Sequence, residues 1–441
     1  MSAAALAQRN PVRVLMITPD HLMIDRRILQ EAQTLQQAGY AVEILAGFEC
    51  AEPDTYERDG VRIKRFKFDW KDPRADWILP LLRHAPEGLR SGLLRHARRA
   101  VALLTGRTSF ENYVLRQVAA SSYDILHCHD FPLLAVAAAA KRRRPTPLVY
   151  DAHELYHAQA QLPARTQRRY KRQERRLIRR ADLAITVNPF IARIMADEYG
   201  CVTPAVLLNA APFCARADAR IGLRERLHLE QQDRIVLYQG WMSPERGIDR
   251  LVRAARHFPR HVHLVLIGYG ANEQELRQIS AEQGTDDGRV IFLGRVESED
   301  LAPLTRSADL GVIPYYAIDL NNRYSSPNKL FEYASAALPF VCNDLPFLRS
   351  IIDKHGFGVS ANLMESEAGA AAILSIVEDS SRLRALKDLA EKAAVELNWE
   401  IEGGKLVALY EQVILPKLDP TGERVSAVNR GAPAHSLPLA K

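Results

Sequence analysis

Long apolar runs are missing from this sequence. The longest, from Phe131 to Ala140, has about half the length that a membrane-spanning helix requires. The opening stretch, MSAAALAQRN, lacks the apolar segment of a secretory signal. A polytopic membrane chain is excluded, and a cytoplasmic location is the expectation. Cysteine is scarce: Cys50, Cys128, Cys201, Cys214 and Cys342 are odd in number, widely spaced and without a Cys-x-x-Cys pair to bind zinc or shuttle electrons, so reduced and mostly buried thiols are expected. A dinucleotide fingerprint is incomplete as well. Gly268-x-Gly270 follows an apolar strand, but Glu273 stands where the third glycine belongs, and an acid at a helix start repels a pyrophosphate.

What remains is a globular composition, 47% hydrophobic and 25% charged over 441 residues, about three times the core of one domain. The formal charge of +6 points to anionic partners. Apolar strands alternate with amphipathic helices: 12–18, then a helix over 24–37, then strands at 41–46, 61–66, 124–129, 147–153 and 183–187. The periodicity dissolves near 204–226 and restarts with strands at 235–240, 262–268, 289–294, 308–315 and 339–342, with helices from Gly247, Asn272 and Asn328. The fold class is therefore α/β: two tandem doubly wound Rossmann-like domains facing a cleft, where ligands bind outside the carboxyl ends of the strands. The expected divisions are a first domain over 1–205, a second over 206–398, a helix over 399–418 that packs back on the first, and a disordered tail over 419–441.

Several side chains stand at expected strand ends. His127, His129 and Asp130 close one strand; Asp151, His153 and Glu154 close another. They are not read as a helical His-Glu-x-x-His pair or an Asp-x-Asp triple, so no metal is expected. Buried, backbone-bonded histidines are the alternative reading. Asp25, Arg26 and Arg27 open the first helix, where a solvated helix end is favoured over an anion contact. In SSPNKLFEYASAALPFV (325–341), Ser325, Ser326 and Asn328 are capping types and Pro327 pre-sets a first turn. A helix start there attracts phosphate, and Lys329 makes better sense beside a bound anion than alone. Glu332 could accept from a ribose diol or complete a capping box.

Residues 165–180 hold nine basic side chains and one acid, a footprint for an anionic surface. No recognised module or aromatic interleaving accompanies them, so nucleic acid is not expected as a partner. Ile78, Leu82, Leu89, Leu93, Ala97, Val101 and Leu104 recur near helical spacing beside arginines, fitting either an interfacial amphipathic helix or a core-facing one.

The 325–341 segment resembles the retaining, nucleotide-sugar-dependent glycosyltransferases of the fourth sequence family (GT-B fold), in the subgroup reading Ser-Pro-Asn-Lys-Leu-Phe-Glu-Tyr. There, two glutamates seven residues apart bracket the turn. Glu332 matches the second, which binds the ribose, and Tyr324 stands in place of the first, which approaches the donor sugar. YQGWMSPERGIDRLVRAA (238–255) resembles the family's phosphate loop: Arg246 takes the diphosphate-binding position, and Trp241, after Gly240, replaces a frequent second cation. LVLIGYGANEQELR resembles the Gly-x-Gly segment, and VIFLGRVESEDLAPLTRSADLGVIPY the nucleobase strand, with Gly294, Arg295 and Val296 facing the base. The resemblance implies donor-nucleotide contacts from Gly240, Arg246, Gly294, Arg295, Val296, Asn328, Lys329 and Glu332. It implies catalytic roles for His129, Arg246 and Lys329, and sugar or acceptor contacts from Tyr324, His153, Glu154 and Asp25. The implied activity is transfer of a sugar from a nucleoside diphosphate sugar to a saccharide or lipid-linked acceptor hydroxyl, with retention, without a metal or other cofactor, and at an anionic inner membrane face if the basic helix docks there. A nucleotide-sugar epimerase of the same fold and a catalytically inactive nucleotide-sugar-binding module stay open.

Overall fold

The computed structural model describes residues 11–20, 24–48, 55–67, 80–82, 84–105, 107–213 and 222–418. Cys50, Cys214, Ile78 and the tail 419–441 lie outside the described residues. The chain divides into two compact units. The first takes the described residues within 11–156, 168–207 and 403–418, the second those within 157–167 and 208–402.

The first unit is built on an eight-stranded sheet. Its strands are β1 (Arg13–Thr18), β2 (Ala41–Phe48), β3 (Thr55–Arg58), β4 (Val61–Lys67), β5 (Ile125–His129), β6 (Leu148–Ala152), β7 (Leu183–Thr186) and β8 (Ala205–Val206), ordered β3-β4-β2-β1-β5-β6-β7-β8. All pairs are parallel except β3 with β4. Every residue of β5 and β6 is buried, as expected for a sheet covered on both faces. β3 (TYER) escapes a sequence reading because it is short, mostly exposed and charged at an edge, the usual way of blunting an edge strand.

The second unit holds a six-stranded parallel sheet: β9 (Arg234–Gln239), β10 (Val262–Ile267), β11 (Val290–Gly294), β12 (Leu310–Ile313), β13 (Phe340–Cys342) and β14 (Gly358–Ser360), in the order β11-β10-β9-β12-β13-β14. Val236, Tyr238, Leu264, Leu266 and Val312 lie in one buried cluster with Leu251, Val252, Ile373 and Val377 of the covering helices. In both sheets the strand order reverses at a central point while the strands stay parallel, between β1 and β5 in the first and between β9 and β12 in the second. The carboxyl ends at such a switch point form an open crevice, because the connecting helices leave on opposite faces. β5 ends at His129 and β9 at Gln239, so each unit brings a site candidate to its own switch point.

Two surface predictions resolve differently. The helix Glu87–Thr105 has no buried side chain between 87 and 100, and Leu89 and Leu93 are 57% and 42% exposed, so these two leucines do not face a core. In the helix Ala164–Leu177 only Glu174 and Leu177 are buried. Glu174, the lone acid of that run, accepts from the hydroxyls of Tyr150 (2.7 Å) and Tyr199 (2.8 Å), so the exposed face is almost purely basic. The free thiols of Cys128 and Cys342 are buried.

Candidate active site

In the second unit the loop after β9 is shaped by close backbone approaches. A Cβ on Gly268 would stand 2.0 Å from the Gly240 carbonyl oxygen, and one on Gly270 2.1 Å from that of Met242, so only glycine lets these loops touch. Gly247, at φ +69, follows the short 3-10 turn Pro244–Arg246 and packs so tightly on Pro314 that a Cβ would meet its carbonyl oxygen at 2.5 Å. That contact lays Arg246 over the ring of Tyr315, just past β12, with the guanidinium 4.3 Å from the ring centre. Lys329 Nζ lies 4.3 Å from the same ring centre and 4.8 Å from that of Tyr238, and donates to the Tyr315 hydroxyl oxygen at 2.6 Å.

The two cations thus share one aromatic ring in place of a carboxylate. Lys329 is buried, and Arg246 Nε is buried without a hydrogen-bond partner among the described residues. Burial lowers the Lys329 ammonium, partly offset by Tyr315; burial alone would raise the Tyr315 phenol, but Lys329 and Arg246 bring it below its ordinary value. A side chain at Gly240 would stand 3.7 Å from Lys329 Nζ.

The helix Asn328–Ser335 begins without a side-chain cap, which corrects the capping roles expected of Ser325, Ser326 and Asn328. Pro327 is the N-cap residue; Ser325 Oγ donates to the Asn322 carbonyl, and Ser326 Oγ is buried without a partner. The Leu330 amide turns back to the Pro327 carbonyl at 3.1 Å, so in the first turn the amides of Asn328 and Lys329 are the ones left to a ligand or water. Glu332 closes no capping box. Its Oε2 accepts from Gln239 Nε2 at 2.5 Å, and Gln239 Oε1 accepts from Thr305 Oγ1 at 2.8 Å, so the carboxylate is aimed from the end of β9.

Gly294 ends β11 with φ +77, and its carbonyl accepts from Gly268 N–H. Val296 is half-buried. Arg295 is exposed and lies 5.4 Å from the Tyr269 ring centre, and Trp241 meets that ring edge-on at 5.2 Å. Trp241 therefore joins an exposed aromatic row. Tyr324 follows the short helix Leu320–Arg323 and lies under the Arg323 guanidinium at 5.7 Å.

In the first unit the strand ends converge. Arg27 donates in bidentate fashion to Asp151 at 3.0 and 3.1 Å, donates to the Leu207 carbonyl at 2.6 Å, and lies 2.9 Å from Glu31. Arg27, Glu31, His127, His129 and Asp151 are all buried. This corrects the expected solvated helix end: Arg27 is an interior cation. Asp25 caps the helix by accepting from Arg27 N–H at 2.8 Å. Burial would raise Asp151, but Arg27 and His153 hold it well below the usual carboxylate range. Glu31, buried beside Asp151, is pushed well above it, so Arg27 is charge-paired chiefly with Asp151.

His129 Nδ1 lies 3.3 Å from His153 Nε2, and its ring stacks on His127 at 4.4 Å. His127 Nδ1 is 2.8 Å from the hydroxyl of Tyr410, in a π-turn at Tyr410–Ile414. Asp130 has φ +61 and ψ +160 and makes no side-chain cap to the helix it precedes; its carboxylate accepts from His153 N–H at 3.0 Å. Glu154, next along, is half-buried.

Glu31, His127, His129 and Asp151 offer ligand atoms within 4.8 Å of one another. A metal must lie in the plane of each imidazole that binds it, about 2 Å from nitrogen. The His127 and His129 rings stack at 4.4 Å within 20° of parallel, so their planes meet only far beyond bonding distance, and Arg27 already holds Asp151. The string His153-Glu154-Leu155-Tyr156-His157 does have the spacing of a zinc-binding helix, contrary to the expectation that no such motif occurs. Here 153–155 are irregular and Tyr156–Ala158 form a 3-10 turn, so no α-helix brings the two histidines to one face.

Two family models match the chain: a glycosyl transferase 4-like domain over residues 24–210 and glycosyl transferases group 1 over 233–379. A D-inositol 3-phosphate glycosyltransferase of Xylanimonas cellulosilytica is 26% identical over 355 residues, covering 75% of this chain and 81% of that protein. Among solved structures, a sucrose-phosphate synthase from Thermosynechococcus elongatus aligns with a TM-score of 0.68 at 20% identity, over 91% of this chain and 98% of that one. Anabaena HepE in complex with UDP-glucose aligns at 0.64 and 16% identity, over 90% and 98%. These likenesses establish a shared two-Rossmann-domain fold.

Proposed function

The chain belongs to the group 1 glycosyltransferases, with a glycosyl transferase 4-like first unit, and from that membership we propose that its second unit binds a nucleoside diphosphate sugar through Arg246, Lys329 and Glu332. The observation that carries this is the ring-held cation pair. Arg246 and Lys329 share the Tyr315 ring at a strand-end crevice, with the Glu332 carboxylate acting on Lys329, beside a helix start that has no side-chain cap. An anion with several oxygens satisfies both cations and the free amides at once. Glu332, aimed by Gln239, accepts from the ribose diol, and Arg295 with Tyr269 offers a flat cationic-aromatic face to a base. As the sugar–phosphate bond breaks, negative charge grows on the departing diphosphate, and Arg246 and Lys329 stabilise it as fixed charges in a buried site. Side-chain cations then do the work that a metal does elsewhere, and His129 contacts the donor sugar or the acceptor. Retention is the stereochemical outcome we propose. UDP-glucose, the ligand of the HepE complex, is a reasonable first donor to try.

We place the acceptor at an anionic membrane surface on the cytoplasmic side. The exposed Leu89 and Leu93 and the exposed Arg168, Arg169, Arg172, Arg175 and Arg176 support this reading, since apolar insertion and basic attraction add.

A panel of nucleoside diphosphate sugars, with and without lipid extracts as acceptors, tests the proposal through nucleotide release and product anomeric configuration. Turnover should survive EDTA. Failure of every nucleotide sugar to bind, or binding unaffected by Arg246→Ala and Lys329→Ala, overturns the donor assignment; failure of the protein to float with anionic vesicles at low salt overturns the membrane one.

A further inference from the structure

His129 has two nitrogens, and which one carries the proton decides whether it donates to a substrate oxygen or takes a proton from it. Resting on the reading that His129 faces sugar or acceptor, we infer that His153, held in place by Asp130, donates to His129 Nδ1 and fixes His129 as the Nε2–H tautomer, a hydrogen-bond donor and not a base.

Two groups compete for His129 Nδ1. Asp151 Oδ2 lies 3.7 Å away, beyond hydrogen-bond reach, whereas His153 Nε2 lies at 3.3 Å. Had Asp151 won, His129 would carry its proton on Nδ1 and present a basic Nε2, the arrangement of a hydrolase triad. With His153 as donor, Nδ1 accepts and the proton must sit on Nε2. That atom is buried and has no hydrogen-bond partner among the described residues. A buried N–H without a partner is rare unless a ligand or water completes it.

The backbone supports the assignment. Asp130 at φ +61, ψ +160 occupies a region nearly closed to residues with a Cβ. That conformation turns its carboxylate away from the helix it precedes and onto His153, accepting from the His153 amide at 3.0 Å and lying 3.5 Å from Nδ1. Both His153 nitrogens thus face carboxylates, Nδ1 toward Asp130 and Nε2 toward Asp151 at 3.3 Å. Burial would lower His153, but these two carboxylates raise it to about 10, so it stays an imidazolium: Nδ1–H turns to Asp130, and the one proton on Nε2, attracted by Asp151 at 3.3 Å, stands in hydrogen-bond geometry with His129 Nδ1. The other groups acting on this network are Arg27 and Glu31 from the first helix, Asp20 from the loop after β1, His127 from β5 and Glu154 beside His153. Burial first, with the nearby His153 cation, brings His129 down to about 4 although Asp151 pulls it the other way. Across the physiological range His129 is therefore a neutral donor that does not take the acceptor's proton. His153 and Asp130 are positioning residues; neither needs to touch substrate.

The test uses the full chain with ¹⁵N-labelled histidine and long-range ¹⁵N–¹H correlation spectra between pH 6 and 9, His129 being assigned with His129→Gln. The expected pattern is a pyridine-like Nδ1 and a pyrrole-like Nε2 for His129, with His153 doubly protonated. His153→Leu should move the His129 proton to Nδ1, toward Asp151. His153→Gln, whose amide can still donate, should keep the wild-type pattern. Asp130→Asn should bring His153's titration down toward neutral. Linkage adds a second readout: the folded pKa of His153 is above its unfolded value, so its stabilisation is complete below about 6.5 and is lost as pH rises toward about 10. Wild type should lose more melting temperature than His153→Gln over that interval. A pyrrole-like Nδ1 in wild-type His129 overturns the inference, and so does a His153→Leu spectrum unchanged from wild type. If His153→Leu does not fold, the wild-type spectrum and Asp130→Asn decide alone. The spectra need no donor, so a protein that transfers no sugar yet shows this pattern would refute the functional reading and leave the positioning pair standing.

Discussion

The two switch points solve opposite problems with buried charge. In the first unit, Arg27 is held by Asp151 in a bidentate pair, with Glu31, pushed upward by burial and by Asp151, 2.9 Å away. In the second, Lys329 and Arg246 are held by an aromatic face and one phenol oxygen. A carboxylate partner satisfies a cation and ends its availability. An aromatic ring fixes the position of a cation but leaves most of its charge for something else. One site is thus internally paired, and the other leaves its cations the more available.

The comparison breaks most visibly in stability. Arg27→Met strands Asp151 in the core and should cost about 3 to 5 kcal/mol of unfolding free energy, measured by denaturant titration. Lys329→Met should leave the melting temperature unchanged or raise it; equal destabilisation by the two would erase the distinction. Activity should respond in the second unit instead, where Lys329→Met and Arg246→Gln each lower turnover by about tenfold to a thousandfold. Smaller is the effect of Glu332→Gln, which replaces a charged acceptor by a neutral one and should weaken nucleotide binding by about 1.5 to 3 kcal/mol in calorimetry. Least of all, Tyr315→Phe keeps the ring under both cations and removes only the acceptor of Lys329. It should cost about 1 kcal/mol in donor affinity, and a loss as large as that of Lys329→Met would mean that the phenol, and not the ring, holds the cation.

Much of this architecture was written in local pattern. The apolar runs of β1, β5, β6, β9 and β10 announced themselves because buried parallel strands are continuous in hydrophobicity. β8 and β14, two and three residues long, carry too little pattern to be seen. In the candidate sites the legible residues were those marked by motif, Arg246, Lys329 and Glu332. Their supports were not. Tyr315 acts on a lysine 14 residues away, Gln239 on a glutamate 93 away, and Arg27 on an aspartate 124 away. Nothing local separates a buried arginine in a first helical turn from a solvated one. Side-chain capping at 325–328 failed for a related reason: Ser325 turned back to Asn322, which only the short helix before it makes possible.

Tyr410 has a consequence for how the protein is made. Its hydroxyl meets His127 in the first unit, and its ring meets Tyr40 edge-on at 5.5 Å. Residues 403–418 complete a unit whose sheet is finished by residue 206. A ribosome adding about 5 to 20 residues per second must therefore synthesise the whole second unit while the His127 face of the first waits uncovered. The second unit can close on its own residues as it emerges, but the first reaches its final core only after the second has been made. A nascent chain arrested before Tyr410 should be protease-sensitive around β5 and become resistant once that turn has left the exit tunnel.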